Sequence, residues 1–231
     1  MIKFSKEVME LAINKLPNYK RIICLVSSGV DSIAGAHYFI KKVSKFYRIE
    51  AATLHFNHQQ RDQNDEMEFN YNKFNRGEDI AAWGSTKLGA FIRSKTEDGL
   101  RKARIEYIKL HWDDTIFITF HHLNDCVESY LLNCLRGKEG YLPVPFYTEV
   151  GTNIICHPFL ETKKENFIKY AERNDLNKYV VNDETNEQVK GSRRNFLRKD
   201  IIPLLEREKV GMETIVKKKM KERLLLEIIK Q

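Results

Sequence analysis

The chain has 231 residues, 42% hydrophobic and 31% charged, enough to bury one good core with a small appended element and too charged for a membrane protein. No run approaches the roughly 18 apolar residues of a membrane span, and Met1-Ile-Lys-Phe-Ser5 lacks the apolar core of a signal peptide, so a cytoplasmic location is expected. The net charge of +7 favours a polyanionic partner such as nucleic acid; Arg207 to Gln231 alone holds eight Lys/Arg against four Glu, as a solvated basic helix also would.

Taken in order, residues 5–16 read as an amphipathic helix ended by Pro17, with Val8, Leu11, Ala12 and Leu16 on one side. Ile22 to Val26 is a β-branched run that breaks into the small-residue turn Ser27-Ser-Gly-Val-Asp-Ser32, and Ile33 to Ile40 has helical spacing. A strand, tight loop and helix in this order form an anion site. First-turn N–H groups and the helix dipole face whatever sits over the loop, and Ser27 and Ser32 add hydroxyls. Asp31 is a carboxylate where an anion belongs, which makes sense if Mg2+ accompanies the phosphates. The Walker pattern is absent.

Ile49 to Asn57 reads as the second strand of a βαβ unit and delivers His55, Asn57 and His58 to a strand's C-terminal edge, where open α/β sheets bind ligands. A helix is expected over 62–74, and the third strand of such a sheet is hard to find between 59 and 93. Ser94-x-x-Glu97 predicts a capping box. Thr115 to Phe120 predicts a buried strand running into His121-His-Leu-Asn-Asp125, followed by a helix to Gly137. Asn153 to Phe159 is read as extended, Thr162-x-x-Glu165 as a cap, 182–194 as a polar binding loop, and 195–206 and 213–231 as helices. The cysteines Cys24, Cys126, Cys134 and Cys156 show no Cys-x-x-Cys pair and are read as small core residues.

Together the motifs resemble one family. Ser27 to Ser32 is similar to the Ser-Gly-Gly-x-Asp-Ser loop of the PP-loop ATP pyrophosphatases, and within them the resemblance is to the tRNA(Ile)-lysidine synthetases. His55-Phe-Asn-His-Gln-Gln-Arg61 resembles His-x-Asn-His-Gly-Leu-Arg, and Glu97, Arg101 and Arg104 match a Glu-x3-Arg-x2-Arg helix. The run from His121 to Gly137 matches His-His-Leu-Asp-Asp-Gln-Ala-Glu-Thr-x-Leu-Leu-x-x-Leu-x-Arg-Gly. His157-Pro-Phe-Leu160 stands for Arg-Pro-Leu-Leu, Asp183 to Asn186 for Asp-Pro-Ser-Asn, and Arg194 to Arg198 with Pro203 for Arg-Asn-x-x-Arg and a later proline. The motifs keep the family's order across residues 21–206.

The resemblance implies an α/β fold, a Rossmann-like parallel sheet flanked by helices of the adenine nucleotide alpha hydrolase-like kind, with a catalytic domain over 1–206 and a basic helical tail over 207–231. It implies an ATP-dependent tRNA-modifying ligase that adenylates the C2 oxygen of an anticodon cytidine and joins L-lysine there, releasing AMP and pyrophosphate. ATP would be bound by Ser27, Ser28, Gly29, Val30, Asp31, Ser32, His55 and Asn57, with Mg2+ on Asp31. Asp31, Arg104, His121 and Asp125 would be catalytic, Asp125 and Glu128 would hold the lysine, and Arg193, Arg194 and Arg198 would meet tRNA. Partners are then ATP, L-lysine and a CAU-anticodon tRNA, with no membrane and a homodimer left open.

Blander readings stay open. Asp125 with Glu128, or Ser94 with Glu97, could be helix caps alone; His55, His58, His121 and His122 could form a zinc site; and Arg193, Arg194, Arg198 and Lys199 could be a solvated charge run. A thiolating relative with Cys126, or a catalytically silent RNA-binding one, are the rival functions. Four positions depart from the pattern: Ser28 for glycine, Asn124 for aspartate, Ile105 for tyrosine, and Gln59-Gln60 for Gly-Leu. Most family members add C-terminal domains that help select the tRNA, where this sequence has only the 25 residues after 206.

Overall fold

The computed structural model describes residues 1–47, 50–59, 63–137, 144–181 and 193–230, and within these the side chains of Tyr47, Glu97 and Arg193 are left undescribed. The expectations for Arg61, for Pro143, for the loop over 182–192 including Asp183 to Asn186, and for the Glu97 and Arg193 side chains lie outside the described atoms.

Six strands form one sheet in the order β3-β2-β1-β4-β6-β5. They are β1 (Arg21–Leu25), β2 (Ala51–Asn57), β3 (Ala82–Lys87), β4 (Thr115–Ile118), β5 (Tyr147–Val150) and β6 (Asn153–Cys156). All pairings are parallel except β5 with β6. The helices are α1 (Lys6–Lys15), α2 (Val30–Tyr38), α3 (Ser44–Tyr47), α4 (Gln63–Gly77), α5 (Glu97–His111), α6 (Leu123–Cys134), α7 (Lys164–Arg173), α8 (Arg193–Phe196), α9 (Ile202–Arg207) and α10 (Met212–Ile229). A π-helical turn, Phe39–Val43, joins α2 to α3, and another, Leu197–Ile201, joins α8 to α9.

Alternation along the strands builds two cores, because successive side chains point to opposite faces. Ile22 and Cys24 of β1, with Ile116 and Ile118 of β4, pack against α1, α2, α4 and α7 through Met9, Ile33, Phe74 and Phe167. Ile23 and Phe117 face the other way, onto Leu54, Ile108 and Leu88. Helix α10 seats Val216 and Met220 in the first core, so the basic tail is packed on the domain along one side.

The third strand, hidden in the sequence, is β3: its Ala-Trp-Gly-Ser-Thr-Lys has no apolar alternation because it lies at the sheet edge with no fully buried residue. It tolerates Gly84 at φ +105° beside a register shift at Thr53/Leu54. Antiparallel β5, four residues at the other edge, likewise carries little sequence pattern. Two caps are corrected. Helix α5 starts at Glu97, so the cap is Thr96, which accepts from Gly99 N at 3.2 Å, while Ser94 sits two residues before it. Thr162 does not cap α7; its hydroxyl donates to Lys3 O at 2.7 Å and accepts from Lys3 N at 2.9 Å, tying the N-terminal segment down. Of the cysteines, Cys134 is exposed and the other three are buried. Among the described residues no helix is long and apolar enough to cross a membrane.

Helix α2 packs Gly35 against the Phe120 ring, where an added Cβ would lie 2.1 Å from it. Overpacking of this kind costs about 1–3 kcal/mol and outweighs the roughly 1 kcal/mol helix gain of alanine. Gly35→Ala is therefore expected to lower the urea midpoint; a midpoint at or above wild type would show that the approach is looser.

Candidate active site

Strand β1 has β2 on one side and β4 on the other, so chain order reverses beside it. A crevice opens at the C-terminal ends of the strands at such a switch point. The segments entering it are the turn after β1, with Ser27 to Ser32, and the turn after β4, with His121 and His122.

In the first turn, Gly29 is the residue before α2 and no side chain caps the helix. The first-turn N–H groups of Val30, Asp31 and Ser32 thus end the helix without an intrahelical acceptor, a cradle for an anion. The hydroxyls brace the turn: Ser27 N donates to Ser32 Oγ at 3.1 Å, Ser27 Oγ and Ser32 Oγ are 3.1 Å apart, and Ser32 Oγ donates to Gly29 O at 2.9 Å. The residue that needs a left-handed backbone is Ser28, at φ +65°, while Gly29 is extended at φ −75°. A Cβ at positive φ costs about 1–2 kcal/mol. Ser28 offsets this with a buried hydroxyl that donates to Met67 O at 2.7 Å, and its carbonyl accepts from Val181 N at 2.9 Å.

Across the crevice, α6 begins with a reciprocal cap. Asp125 N donates to His122 Nδ1 at 3.3 Å, and His122 N donates to Asp125 Oδ2 at 3.0 Å. His122 Nε2 lies 3.5 Å from Asp31 Oδ2, so one imidazole joins the two turns. Burial alone would lower the His122 pKa, but the hydrogen bond to Asp31 and the charges of Asp125 and Asp31 raise it above the ordinary value. Asp125, desolvated but surrounded by His122, His121 and Arg198, is held below the usual carboxylate range. Asp31 Oδ1 is buried with no hydrogen-bond partner. An orphaned carboxylate oxygen beside an open helix N-terminus fits a divalent cation carrying phosphate oxygens, and no cluster of three or more protein ligands exists among the described residues to make an independent metal site. The zinc reading fails on the same ground among those residues.

His121 is exposed to solvent. Its neighbours nonetheless strip enough water to lower its pKa, an effect that Arg104, His122 and Arg194 reinforce and Asp125 opposes. Arg104, half-buried on α5, thus acts on the same ring. His121 Nδ1 is 3.0 Å from Thr119 Oγ1, which also lies 2.5 Å from Nδ1 of buried His157.

The remaining expected residues are distributed differently. His55 is 2% exposed, its Nδ1 2.8 Å from Val26 O and its ring stacked on Tyr71. Asn57 is buried too, donating to Glu68 at 2.5 Å and accepting from Gln59 N at 2.9 Å. Both brace the strand end beneath the crevice. Arg194 and Arg198 turn inward: Arg194 Nε is 2.9 Å from Glu128 Oε1, Arg198 Nε is bonded to Glu128 Oε2, and an Arg198 terminal nitrogen is 3.6 Å from Asp125 Oδ1. Glu128 is 2% exposed, and burial raises its carboxyl pKa even against these two guanidiniums. The two carboxylates expected to hold lysine thus already hold arginine. Asn124 accepts from Lys164 N at 3.0 Å and caps α7 from outside, so its amide serves where the family pattern has a carboxylate. Thr119 and Asn124's cap had no local signal, because their partners lie about 40 residues away.

The titrating groups predict an acid-labile fold. His37, His55 and His157 all sit below the ordinary histidine value, chiefly through burial. The unfolded chain therefore binds more protons as pH falls through about 6.5, and the stability of the neutral rings, complete above that value, is lost toward their folded pKa values. His122 and Glu128, both raised, oppose this. The unfolding midpoint is expected to be lower at about pH 5.5 than at about 7.5, with His157→Gln flattening the slope; equal midpoints contradict the buried neutral histidines.

A PP-loop domain model matches residues 2–205. The tRNA(Ile)-lysidine synthase of Streptococcus mutans is 31% identical over 189 residues, 81% of this chain and 42% of that protein. That of Wigglesworthia glossinidia brevipalpis is 32% identical over 154 residues, 62% of this chain and 38% of that protein. The chain spans less than half the length of these curated relatives. Among solved structures, the U34-tRNA thiolase NcsA from Methanococcus maripaludis, which carries a 4Fe-4S cluster, superposes with a TM-score of 0.62 at 16% identity, covering 95% of this chain and 79% of that one, and so shares the fold.

Proposed function

Because this chain belongs to the PP-loop domain family, we propose that it spends ATP on tRNA modification, adenylating the C2 oxygen of the wobble cytidine in a CAU anticodon and joining L-lysine there as lysidine. The observation that carries this reading is the convergence of an uncapped helix N-terminus, a carboxylate with an orphaned oxygen and the His121-His122 turn on one switch-point crevice.

In this reading the ATP phosphates lie over Ser27 to Ser32, and His121 and Arg104 balance charge that builds on them. Asp31 would hold Mg2+ through Oδ1, and the ion would supply further positive charge to the phosphates. The cytidine oxygen attacks the α-phosphorus, pyrophosphate leaves, and the lysine amine then displaces AMP at C2. A free carbonyl oxygen leaves poorly, which is why the adenylate comes first. Asp125 and Glu128 receive the lysine ammonium in place of the guanidiniums, and Asp125, held ionised, suits that grip. The amine must shed its proton as it attacks, since nearby carboxylates favour the charged form. Residues 1–206 act as the catalytic unit, and the exposed lysines of α10, Lys218 and Lys221 among them, meet RNA phosphates.

Thiolation has no support at Cys126, which is fully buried with its thiol pushed up by desolvation. The test is incubation with ATP, Mg2+, labelled lysine and a CAU-anticodon tRNA transcript. Label on the tRNA with equal AMP and pyrophosphate is expected; no label with any of several transcripts sinks the reading.

A further inference from the structure

A groove of about 580 Å³ lies where the N-terminal segment faces the helical run from α2 to α3, and none of its lining residues belongs to the crevice. Its size falls within the roughly 300–1,000 Å³ of ligand sites. One wall is a helical face, Tyr38, Lys42 and Phe46, carried past the π-helical turn. The other is the segment from Met1 to Glu7, which supplies Lys3 and Lys6. Both walls are fixed. Thr162 Oγ1 holds Lys3 N at 2.9 Å and Lys3 O at 2.7 Å, Ser5 N donates to Pro158 O at 2.9 Å, and the Phe4 ring packs on Phe39 and Phe159. Tyr38 meets Phe159 and Tyr170 edge to face.

Lys3, Lys6 and Lys42 are exposed and outnumber the carboxylates of the groove, Glu7 and Glu161. Glu7 is already engaged in the first turn of α1, where it accepts from the Ser5 hydroxyl at 2.9 Å. Phe46 is 73% exposed, although Lys6 Nζ stands 4.7 Å over its ring. A ring left in water among ammonium groups is the arrangement that binds unpaired nucleotides, with the base stacked on the ring and the phosphates on the cations. An acidic peptide would satisfy the lysines and leave the ring without a use. The groove also runs on to the α10 surface assigned above to RNA phosphates: Ser5 and Glu161 line a second, smaller cleft together with Lys221 and Leu224.

We propose that this groove is a second RNA contact, which takes an unpaired nucleotide of the tRNA, its base stacked on Phe46 and its flanking phosphates on Lys3, Lys6 and Lys42. The inference rests on the reading that the protein acts on tRNA. The groove and α10 then form one basic surface whose contacts hold the RNA and take no part in the chemistry. Such a contact carries little sequence information, because every base has a stacking face and phosphates are alike at every position.

The test is the affinity of the intact protein for the CAU-anticodon transcript between about 50 and 200 mM salt. Phe46→Ala is expected to weaken binding about tenfold at every salt concentration without changing the salt dependence, because it removes a stacking contact and no charge. Lys42→Gln should weaken binding and make the slope of log affinity against log salt shallower by about 1. Phe46→Trp should keep the affinity, and the emission it adds over wild type should be quenched by the transcript. Wild-type affinity in Phe46→Ala, or added emission that the transcript leaves unquenched, overturns the proposal. Quenching by AMP but not by the transcript overturns it too, and assigns the groove to a free nucleotide. The ligation assay separates the two readings. Lysidine formation alongside wild-type binding by Phe46→Ala fails the groove alone; groove-dependent binding without lysidine formation fails the lysidine reading alone; no binding of any transcript by wild type fails both.

Discussion

Asp31→Ala is expected to abolish AMP and pyrophosphate release, by about 100-fold to 1,000-fold in single turnover, while leaving the fold intact. Two observations separate the effects. The Oδ1 atom is buried without a partner, and leaving a polar atom so costs about 1–3 kcal/mol, so its removal relieves a penalty in the ligand-free protein. The Oδ2 atom faces His122 at 3.5 Å, and that ring keeps Asp125 at 3.4 Å when Asp31 is gone. The urea midpoint should therefore match wild type or exceed it. Release of pyrophosphate within twofold of wild type would falsify the assignment of Asp31 to the ATP end of the site.

The second large effect is expected at Glu128. Glu128→Ala should raise the lysine concentration needed for half-maximal ligation by about 10-fold to 100-fold, the worth of a charge-assisted hydrogen bond, and leave adenylation nearly unchanged. It should also lower stability, because Glu128 anchors α8 and the π-helical turn through Arg194 and Arg198. Both arginine side chains are more than a third exposed, so they can regain water, and the loss should fall below the roughly 3–5 kcal/mol of breaking a fully buried pair. Glu128→Gln should keep the packing and lose the charge. A Glu128→Ala protein with the wild-type lysine requirement would leave this carboxylate a purely structural anchor for two arginines.

Those arginines show what residue types alone leave open. Arg194 and Arg198 in a polar stretch read equally well as phosphate contacts or as a solvated run. In the structure both pair with Glu128, about 70 residues earlier in the chain. His55 has the same lesson: its position at a strand's C-terminal end was legible, but burial against Val26 O and Tyr71 was not. Edge strand β3 escaped because a strand with no buried residue leaves no apolar alternation to read.

What the sequence determined by itself is the local grammar of the site. The apolar run of β1, the small-residue turn and the helix after it follow from side-chain shape and spacing within about 20 residues, and so does the His121 to Asp125 entry into α6. Only the tertiary structure decided how these pieces act on one another. The strand order sets β4 beside β1, and that one placement brings His122 to Asp31 and ties the α6 cap to the ATP loop. The neighbouring pairing of β4 with β6 sets His157 against Thr119. Hydrogen bonds and charges act over a few ångströms of space, whereas sequence spacing reports only a few residues of chain.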